Sequence, residues 1–378
     1  MIVQESYPFD VRVRKEAKAL LARGHKVSVI ALRDIDRPNR ENIEGVNVYR
    51  VAFSKQRGGI VRYLFEYVVF FVLAFLKLNI LDRKELFDVV HVNTLPDFLV
   101  FSAIFQKLKG RRIVLDMHEI MPEFFMSKFG VGIGHPVVRL LRWVERVSLQ
   151  YADDVITVNE SIKQIFQGRA IPNKSIAVVM NTVSATSVGA RVKRVHHGFN
   201  CVYHGTVSDI YGLDTAIASF ARAREKYHDM TFHIFGEGPS LSRLKRLVQD
   251  LRLEQAVVFH GNVPYEKMME ALDEMDLGIL AIRKDVFLNL SFSNKLAEYV
   301  YLKIPVISSD LDTVKYYFDD KDLLFFMAGD SNDLTSKIEY AYMNRNQMVE
   351  KAEAAFKTSV AFDWDVMAMR YVKVIEGH

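Results

Sequence analysis

Short runs of β-branched residues alternate with helical stretches along most of the chain, and this alternation limits the fold more than any other feature. The apolar run Met1–Gln4 leads into a helical stretch, Val11–Arg23, that Gly24 ends. Lys26–Leu32 and Val46–Val51 read as strands. Asp88–Val92, Arg112–Asp116 and Asp154–Val158 read as buried ones, with helices over Phe98–Leu108 and Val137–Tyr151. Apolar runs of strand length separated by helices predict a parallel sheet covered on both faces.

Residues 183–200 break this rhythm with small, polar and basic residues and no periodicity, and read as a linker. The alternation then restarts. Strands are expected over Cys201–His204, Thr231–Phe235, Val257–His260, Leu277–Ile282 and Pro305–Ser308, with helices from Leu213, Ser240, Tyr265 and Asn294. A chain of 378 residues has room for two such domains. The expectation is an α/β protein of two doubly wound, Rossmann-like parallel-sheet domains facing a cleft: 1–182, a linker over 183–200, and 201–362. Ligands of open α/β sheets sit at the carboxyl ends of the strands, so the loops after the strands are where chemistry is sought.

Composition removes several function classes. The single cysteine, Cys201, excludes an intramolecular disulfide and any Cys-based metal centre. The first residues have neither a basic nor an apolar signal region, which predicts no secretory signal and a cytoplasmic location. The net charge of +4 is split unevenly. Lys and Arg outnumber Asp and Glu by 27 to 19 up to Ile176 and fall behind, 23 to 27, after it. A modest basic surface fits an anionic lipid or a phosphorylated substrate. No basic run interleaved with aromatics and no zinc-finger or RNP-like motif is present, so a nucleic-acid partner is not expected.

Ile60–Leu81 (IVRYLFEYVVFFVLAFLKLNIL) raises the membrane question. Its charges, Arg62, Glu66 and Lys77, leave an uncharged run from Tyr67 to Leu76, far short of the roughly 20 apolar residues a span needs. Two readings stay open: a helix buried in its domain, or a helix lying at a bilayer surface. Tyr63, Phe65, Tyr67, Phe70, Phe71 and Phe75 favour the second, as do Lys55, Arg57, Arg62, Arg83 and Lys84.

Several strand-end loops are candidates. Gly205-Thr206-Val207-Ser208 and Gly236-Glu237-Gly238 offer close backbone approach, the latter at a helix start that favours an anion. Ser293 or Asn294 caps a helix whose first N–H groups, with the Lys295 ammonium, form a corner for a diphosphate. Glu298, one turn on, can accept from two vicinal hydroxyls; read alone, the segment is also a capped surface helix with a Lys–Glu pair. His118 closes the strand Arg112–Asp116 and faces the expected cleft. Asp10 and Arg12, between the first strand and first helix, are candidates there, although Asp10 also fits a plain helix start. Asp153-Asp154, Asp310-x-Asp312 and His196-His197 do not make metal sites. Neither a P-loop, a Gly-x-Ser-x-Gly nor a strand-linked Gly-x-Gly-x-x-Gly occurs.

In this order, YPFDVRVRKEAKALLARGHKVSVIA, FDVVHVNTLPD, RIVLDMHEIMPE, ADDVITVNES, VYHGTV, FHIFGEGPSL, VVFHGNVPYEKM and SNKLAEYVYLKIPVISSD resemble the GT-B glycosyltransferases, and among them the retaining glycosyltransferase family 4. The resemblance covers nearly the whole chain. It implies a nucleotide-sugar donor held mainly by the second domain and an acceptor held by the first. Glu298 matches the ribose-binding glutamate, and Ser293, Asn294 and Lys295 match the helix start near the diphosphate. Gly261, Asn262 and Val263 match the loop beside the base, and Gly236, Glu237 and Gly238 its neighbour. Gly205 and Thr206 fall in the donor loop. His118 matches the histidine near the sugar, with Asp10, Arg12 and Asn93 on the acceptor side. Residues 363–378 look like a terminal helix returning to the first domain.

The sequence departs from the family pattern in three places. Leu290 stands where a first glutamate is common, Thr206 and Tyr211 stand where Arg and Lys are common, and the glycine pair of the first loop is absent. The expected activity is metal-independent, cofactor-free, retaining hexosyl transfer from a UDP- or GDP-sugar. The expected acceptor is a lipid-linked saccharide or polysaccharide precursor at the inner membrane face. A GT-B epimerase, a transferase acting on a soluble small molecule and a non-catalytic nucleotide-sugar-binding relative are the alternatives.

Overall fold

The computed structural model describes residues 1–54, 60–183 and 197–378. Lys55, Arg57 and most of the expected linker, His196 included, lie outside the described residues, as does the Tyr63 side chain. The chain forms two compact units, Met1–Asn181 with Asp365–His378, and Thr182–Trp364. Each is a Rossmann-like α/β layer.

The first unit contains strands β1 (Ser28–Ala31), β2 (Arg40–Ile43), β3 (Val46–Arg50), β4 (Val89–Asn93), β5 (Arg112–Met117), β6 (Asp154–Thr157) and β7 (Ile176–Val178). Its helices are α1 (Val11–Ala22), α2 (Ile60–Glu85), α3 (Ile104–Leu108), α4 (Met121–Phe129), α5 (Pro136–Tyr151) and α6 (Glu160–Arg169). The strands run β2–β3–β1 and β4–β5–β6–β7, all parallel except β2. The expected first strand, Met1–Gln4, contracts to one residue. Ile2 bridges Ile30 and Val92, donating to the His91 carbonyl at 2.8 Å and accepting from the Asn93 amide at 2.9 Å. It thereby joins both groups of strands. β2, not anticipated from the sequence, returns onto β3 through Glu44 and Gly45, both at positive φ (52° and 91°), the geometry of a tight two-residue hairpin. The helix expected over Phe98–Leu108 is a 3₁₀ segment, Asp97–Ala103, before α3.

The second unit contains β8 (Phe199–His204), β9 (Met230–Phe235), β10 (Val257–Gly261), β11 (Leu277–Leu280), β12 (Val306–Ser309) and β13 (Leu324–Phe326). Helices α7 (Leu213–Arg224), α8 (Leu241–Asp250), α9 (Tyr265–Ala271), α10 (Asn294–Tyr301), α11 (Asp312–Tyr317), α12 (Ser331–Met343) and α13 (Arg345–Ser359) connect or follow them. The sheet is parallel throughout, in the order β10–β9–β8–β11–β12–β13. Phe199 and Asn200, expected in the linker, already belong to β8.

Helix α14 (Trp364–Glu376) packs on the first unit. Its Tyr371 hydroxyl lies 3.0 Å from His91 Nδ1, and Arg370 Nη1 donates to the Val178 carbonyl at 2.9 Å. The Arg112 guanidinium donates to the carbonyls of Val374 and Ile375, and Glu376 lies 3.0 Å from His25 Nε2.

Helix α2 buries two acidic residues and turns apolar residues outward as well as inward. Phe70, Ala74, Leu78 and Leu81 are buried, and so are Glu66, paired with Arg62 at 2.9 Å, and Asp82, paired with Lys109 at 2.6 Å. Leu64, Phe65, Val68, Val72, Leu76 and Ile80 are all about half exposed. Their spacing of four residues draws an apolar stripe about 24 Å long at 1.5 Å per residue. Neither a wholly buried helix nor an ordinary amphipathic one has this pattern.

Candidate active site

In each unit the strand order reverses direction once, between Ile2 and β4 in the first and between β8 and β11 in the second. In open α/β sheets, the carboxyl ends of the strands at such a reversal are where a ligand is expected.

In the first unit that position belongs to Asn93 and Asp116, register partners at the ends of β4 and β5, and to His118 just beyond. All three are held tightly. Asp116 is buried and takes two hydrogen bonds from Arg12, Nε to Oδ2 at 2.8 Å and Nη2 to Oδ1 at 2.9 Å. Arg12 Nη1 donates to the Val179 carbonyl at 2.7 Å. His118 Nε2 lies 3.1 Å from Asp116 Oδ2 and 3.2 Å from Asn93 Oδ1, and the His118 amide donates to Thr94 Oγ1 at 3.1 Å. The Asn93 amide group itself donates to the Ile2 carbonyl, which fixes its oxygen toward the histidine. With two acceptors facing it, Nε2 is the nitrogen that donates.

Burial alone would raise the Asp116 carboxyl. The Arg12 guanidinium and then His118 outweigh it and hold Asp116 well below the ordinary carboxylate range. Glu16, 3.1 Å from Arg12 and fully buried, goes the other way: burial first, only partly opposed by Arg12, pushes it well above its ordinary value. Burial lowers His91 to about 3, so that it is neutral. Glu16, His91 and Asp116 stand close enough to share a metal ion. The Arg12 guanidinium already lies on both carboxylates, and a cation beside it would be repelled, so the cluster does not fit a metal.

Asp10 is the N-cap of α1, its carboxylate accepting from the Val13 amide at 3.0 Å. Arg12 and Asn93 are buried. Of the residues expected on the acceptor side, these two therefore stand behind His118, which is partly exposed.

In the second unit, three glycine turns lie side by side after β8, β9 and β10. Gly205 donates to the Phe235 carbonyl at 2.9 Å and Gly236 to the Gly261 carbonyl at 2.7 Å. Both have φ near 115° (111° and 119°). A Cβ on Gly236 would lie 2.0 Å from the Gly205 carbonyl oxygen, and one on Gly238 2.2 Å from that of Val207. Glycine is required by this close approach. Thr206, Glu237 and Asn262 are exposed, and Val263 is half-buried.

Ser293 takes the N-cap position of α10 with no side-chain cap hydrogen bond, and the first amides, those of Asn294 and Lys295, have no intrahelical acceptor, as at any helix start. Lys295 runs back over Gly205, where a Cβ would meet its Cε at 2.5 Å. Its ammonium lies 4.0 Å from the Tyr211 ring centre. Burial lowers it to about 8, opposed by Glu298. Glu298 lies 3.1 Å from His204 Nε2 and accepts from the Tyr265 hydroxyl at 3.3 Å. Burial, then Lys295, lowers His204 to about 3. His204, Tyr203, Tyr211 and Tyr265 were not singled out as site residues by sequence reasoning. The signals were a histidine ending a buried strand next to Gly205 and a tyrosine just after the Gly261 loop. Asp312 is taken up by Lys284 at 3.0 Å and Asn289 at 2.6 Å, while Asp310 accepts from the Ala328 amide.

Residues 10–182 match the model of a glycosyl transferase 4-like domain, and residues 198–344 that of the glycosyl transferases group 1. The chain is 21% identical over 364 residues to the GPI3 subunit of phosphatidylinositol N-acetylglucosaminyltransferase from Saccharomyces cerevisiae, covering 95% of this chain and 77% of that protein. Sucrose-phosphate synthase from Thermosynechococcus elongatus has the same fold, with a TM-score of 0.78 at 15% identity, covering 100% of this chain and 95% of that one. So has Anabaena HepE in complex with UDP, with a TM-score of 0.70 at 14% identity, covering 100% and 99%. The chain belongs to the GT-B glycosyltransferases, with a family 4-like domain followed by a group 1 domain.

Proposed function

We propose that the chain transfers a hexosyl group, with retention and without a metal ion, from a UDP- or GDP-sugar to a hydroxyl of a lipid-linked saccharide. One observation carries the donor half of this reading. Lys295, the start of α10 and the bare backbone of Gly205 converge at the switch point of the second sheet, where a diphosphate finds both a cation and backbone N–H groups. Glu298, one turn along α10, is placed to exchange its Tyr265 contact for ribose hydroxyls. HepE, a protein of the same fold, is described in complex with UDP.

In the reaction, the bond from the anomeric carbon to the diphosphate breaks and a bond to the acceptor oxygen forms on the same face. A departing phosphate oxygen takes the acceptor proton, so no carboxylate base is needed and Leu290 is no obstacle. Lys295 and the α10 start stabilise the charge developing on the leaving group. His118 Nδ1, its ring fixed by Asp116 and Asn93, accepts a hydroxyl of the donor sugar and orients it. His118 thus orients the sugar for reaction rather than shuttling a proton.

The lipid-linked acceptor is supported by the outward stripe of α2. An apolar surface of that length on a basic unit fits an anionic bilayer, and the GPI3 subunit belongs to an enzyme named for a phosphatidylinositol acceptor. On this reading the protein works peripherally on the cytoplasmic face of the membrane.

The test is thermal melting against UDP-, GDP-, ADP- and CMP-sugars with and without EDTA, followed by anomer analysis of the product. Ligand at 100 times its dissociation constant adds about 2.7 kcal/mol of stability. One base that shifts the melt regardless of EDTA, and an α-linked product from an α-linked donor, are expected. An inverted product or a shift abolished by EDTA would remove the proposal.

A further inference from the structure

We infer that Tyr211 is the residue that positions the Lys295 ammonium, carried by helix α10, to face the donor diphosphate. The inference rests on reading the second unit as a nucleotide-diphosphate site.

Positions 206 and 211, where the resemblance leads one to expect Arg and Lys, hold Thr206 and Tyr211. The Lys295 ammonium occupies the same corner from a different element. Its Nζ lies 4.0 Å from the Tyr211 ring centre and 5.5 Å from that of Tyr203. The two rings stand 6.1 Å apart, and the Tyr203 hydroxyl donates to the Thr206 carbonyl at 2.7 Å, tying the loop to its strand. Gly205 makes room for the lysine stem, which any side chain there would block. Loop, strand and helix are thus shaped around one ammonium group.

The choice of an aromatic seat has an electrostatic consequence. Other cations nearby are paired with carboxylates: Arg283 with Asp214 at 2.7 Å, Arg243 with Asp209 and Asp214, and Lys284 with Asp312. A carboxylate cancels the charge it holds, whereas a ring face holds an ammonium and leaves its charge available to an anion. Lys295 is therefore anchored but still able to meet a diphosphate. Tyr211 acts through Lys295 and is a positioning residue.

The experiment measures binding of UDP, GDP and ADP to the full chain by calorimetry, with a melting curve for every variant. Lys295→Met is expected to weaken the nucleotide that binds by tenfold or more. Tyr211→Leu should weaken it several-fold, and Tyr211→Phe, which keeps the ring face, should bind as wild type. The decisive variant is the charge swap. Tyr211→Lys placed in the Lys295→Met background should recover most of the lost affinity, an effect that a merely structural tyrosine would not produce. A folded Tyr211→Leu with wild-type affinity, or a folded swap as weak as Lys295→Met alone, would overturn the inference while leaving the nucleotide site standing. A wild type that binds none of the three nucleotides would overturn both.

Discussion

Arg12 and Asp116 form a bidentate pair with almost no exposure to solvent, 104 residues apart in sequence, and His118 rests on the carboxylate they share. A charge pair at this depth is costly to break because the remaining partner stays buried and uncompensated. Arg12→Leu is expected to cost about 3–5 kcal/mol of unfolding free energy, read from urea denaturation of the first transition. A loss under about 1 kcal/mol would mean that the sheet end is held by other contacts.

The same cluster predicts a pH signature. Asp116 is depressed, so its contribution is present above its unfolded value and is lost as pH falls through the folded one. Glu16 is raised, so its contribution is full below about 4.5 and declines as pH rises from there toward its folded value. Around Arg12 the two carboxyls are thus pushed in opposite directions. Glu16→Gln should therefore be more stable than wild type at pH 7, with the gain vanishing near pH 4. Equal denaturation midpoints at pH 7 would contradict the upward shift of Glu16.

His118→Ala removes a partly exposed ring whose backbone neighbours are held independently by Thr94 and Asp116. Its cost should appear in turnover, by about 100-fold or more, with the donor KM changed by less than about threefold. A mutant with wild-type turnover would take His118 out of the reaction; a large KM effect alone would make it a ground-state contact.

The parallel sheets were legible because buried strands carry continuous apolar runs, such as Ile113–Leu115 and Leu277–Leu280, that only a covered sheet accommodates. The boundaries were less so. Met1–Gln4 has strand composition but only Ile2 is bridged, and β2, Arg-Glu-Asn-Ile, has a polar sequence that pairs because the Glu44-Gly45 turn folds it onto β3. At the candidate site, Lys295, Glu298 and His118 stood out by their place at helix starts and strand ends. Their supports did not, because Arg12 meets Asp116 and Tyr211 meets Lys295 only through tertiary contacts. The sequence pattern offered Arg12 as a residue facing the cleft, whereas burial makes it a support.

Two glycines separate binding from stability. Gly205→Ala, at φ 111°, introduces a methyl that meets the flexible stem of Lys295. The lysine can move aside, so donor affinity should fall while the melt shifts modestly. Gly236→Ala, at φ 119°, meets the backbone oxygen of Gly205, which cannot move without the loop. Its stability loss should exceed that of Gly205→Ala, and by more than about 1 kcal/mol relative to wild type. Equal losses in the two variants would show that the turns are independent.

The outward stripe of α2 leads to the last prediction. Phe65 and Leu76 lie on a face whose burial in lipid is favourable by the apolar area removed from water. Arg83 and Lys84 are exposed at the end of the same helix, and Arg139 and Arg146 on α5 of the same unit. Apolar area alone would bind neutral and anionic vesicles alike, while the cations add a salt-sensitive preference for anionic ones. Wild type should therefore sediment with phosphatidylglycerol-containing vesicles more than with phosphatidylcholine alone, and less so at 0.5 M salt. Phe65→Ser with Leu76→Ser should abolish sedimentation yet leave the melting shift with nucleotide intact, because the proposed donor site lies in the other unit. Equal failure of wild type on both vesicle types would remove the membrane from the reading of α2. Loss of the nucleotide response in the double variant would mean that the stripe supports the fold rather than a lipid surface.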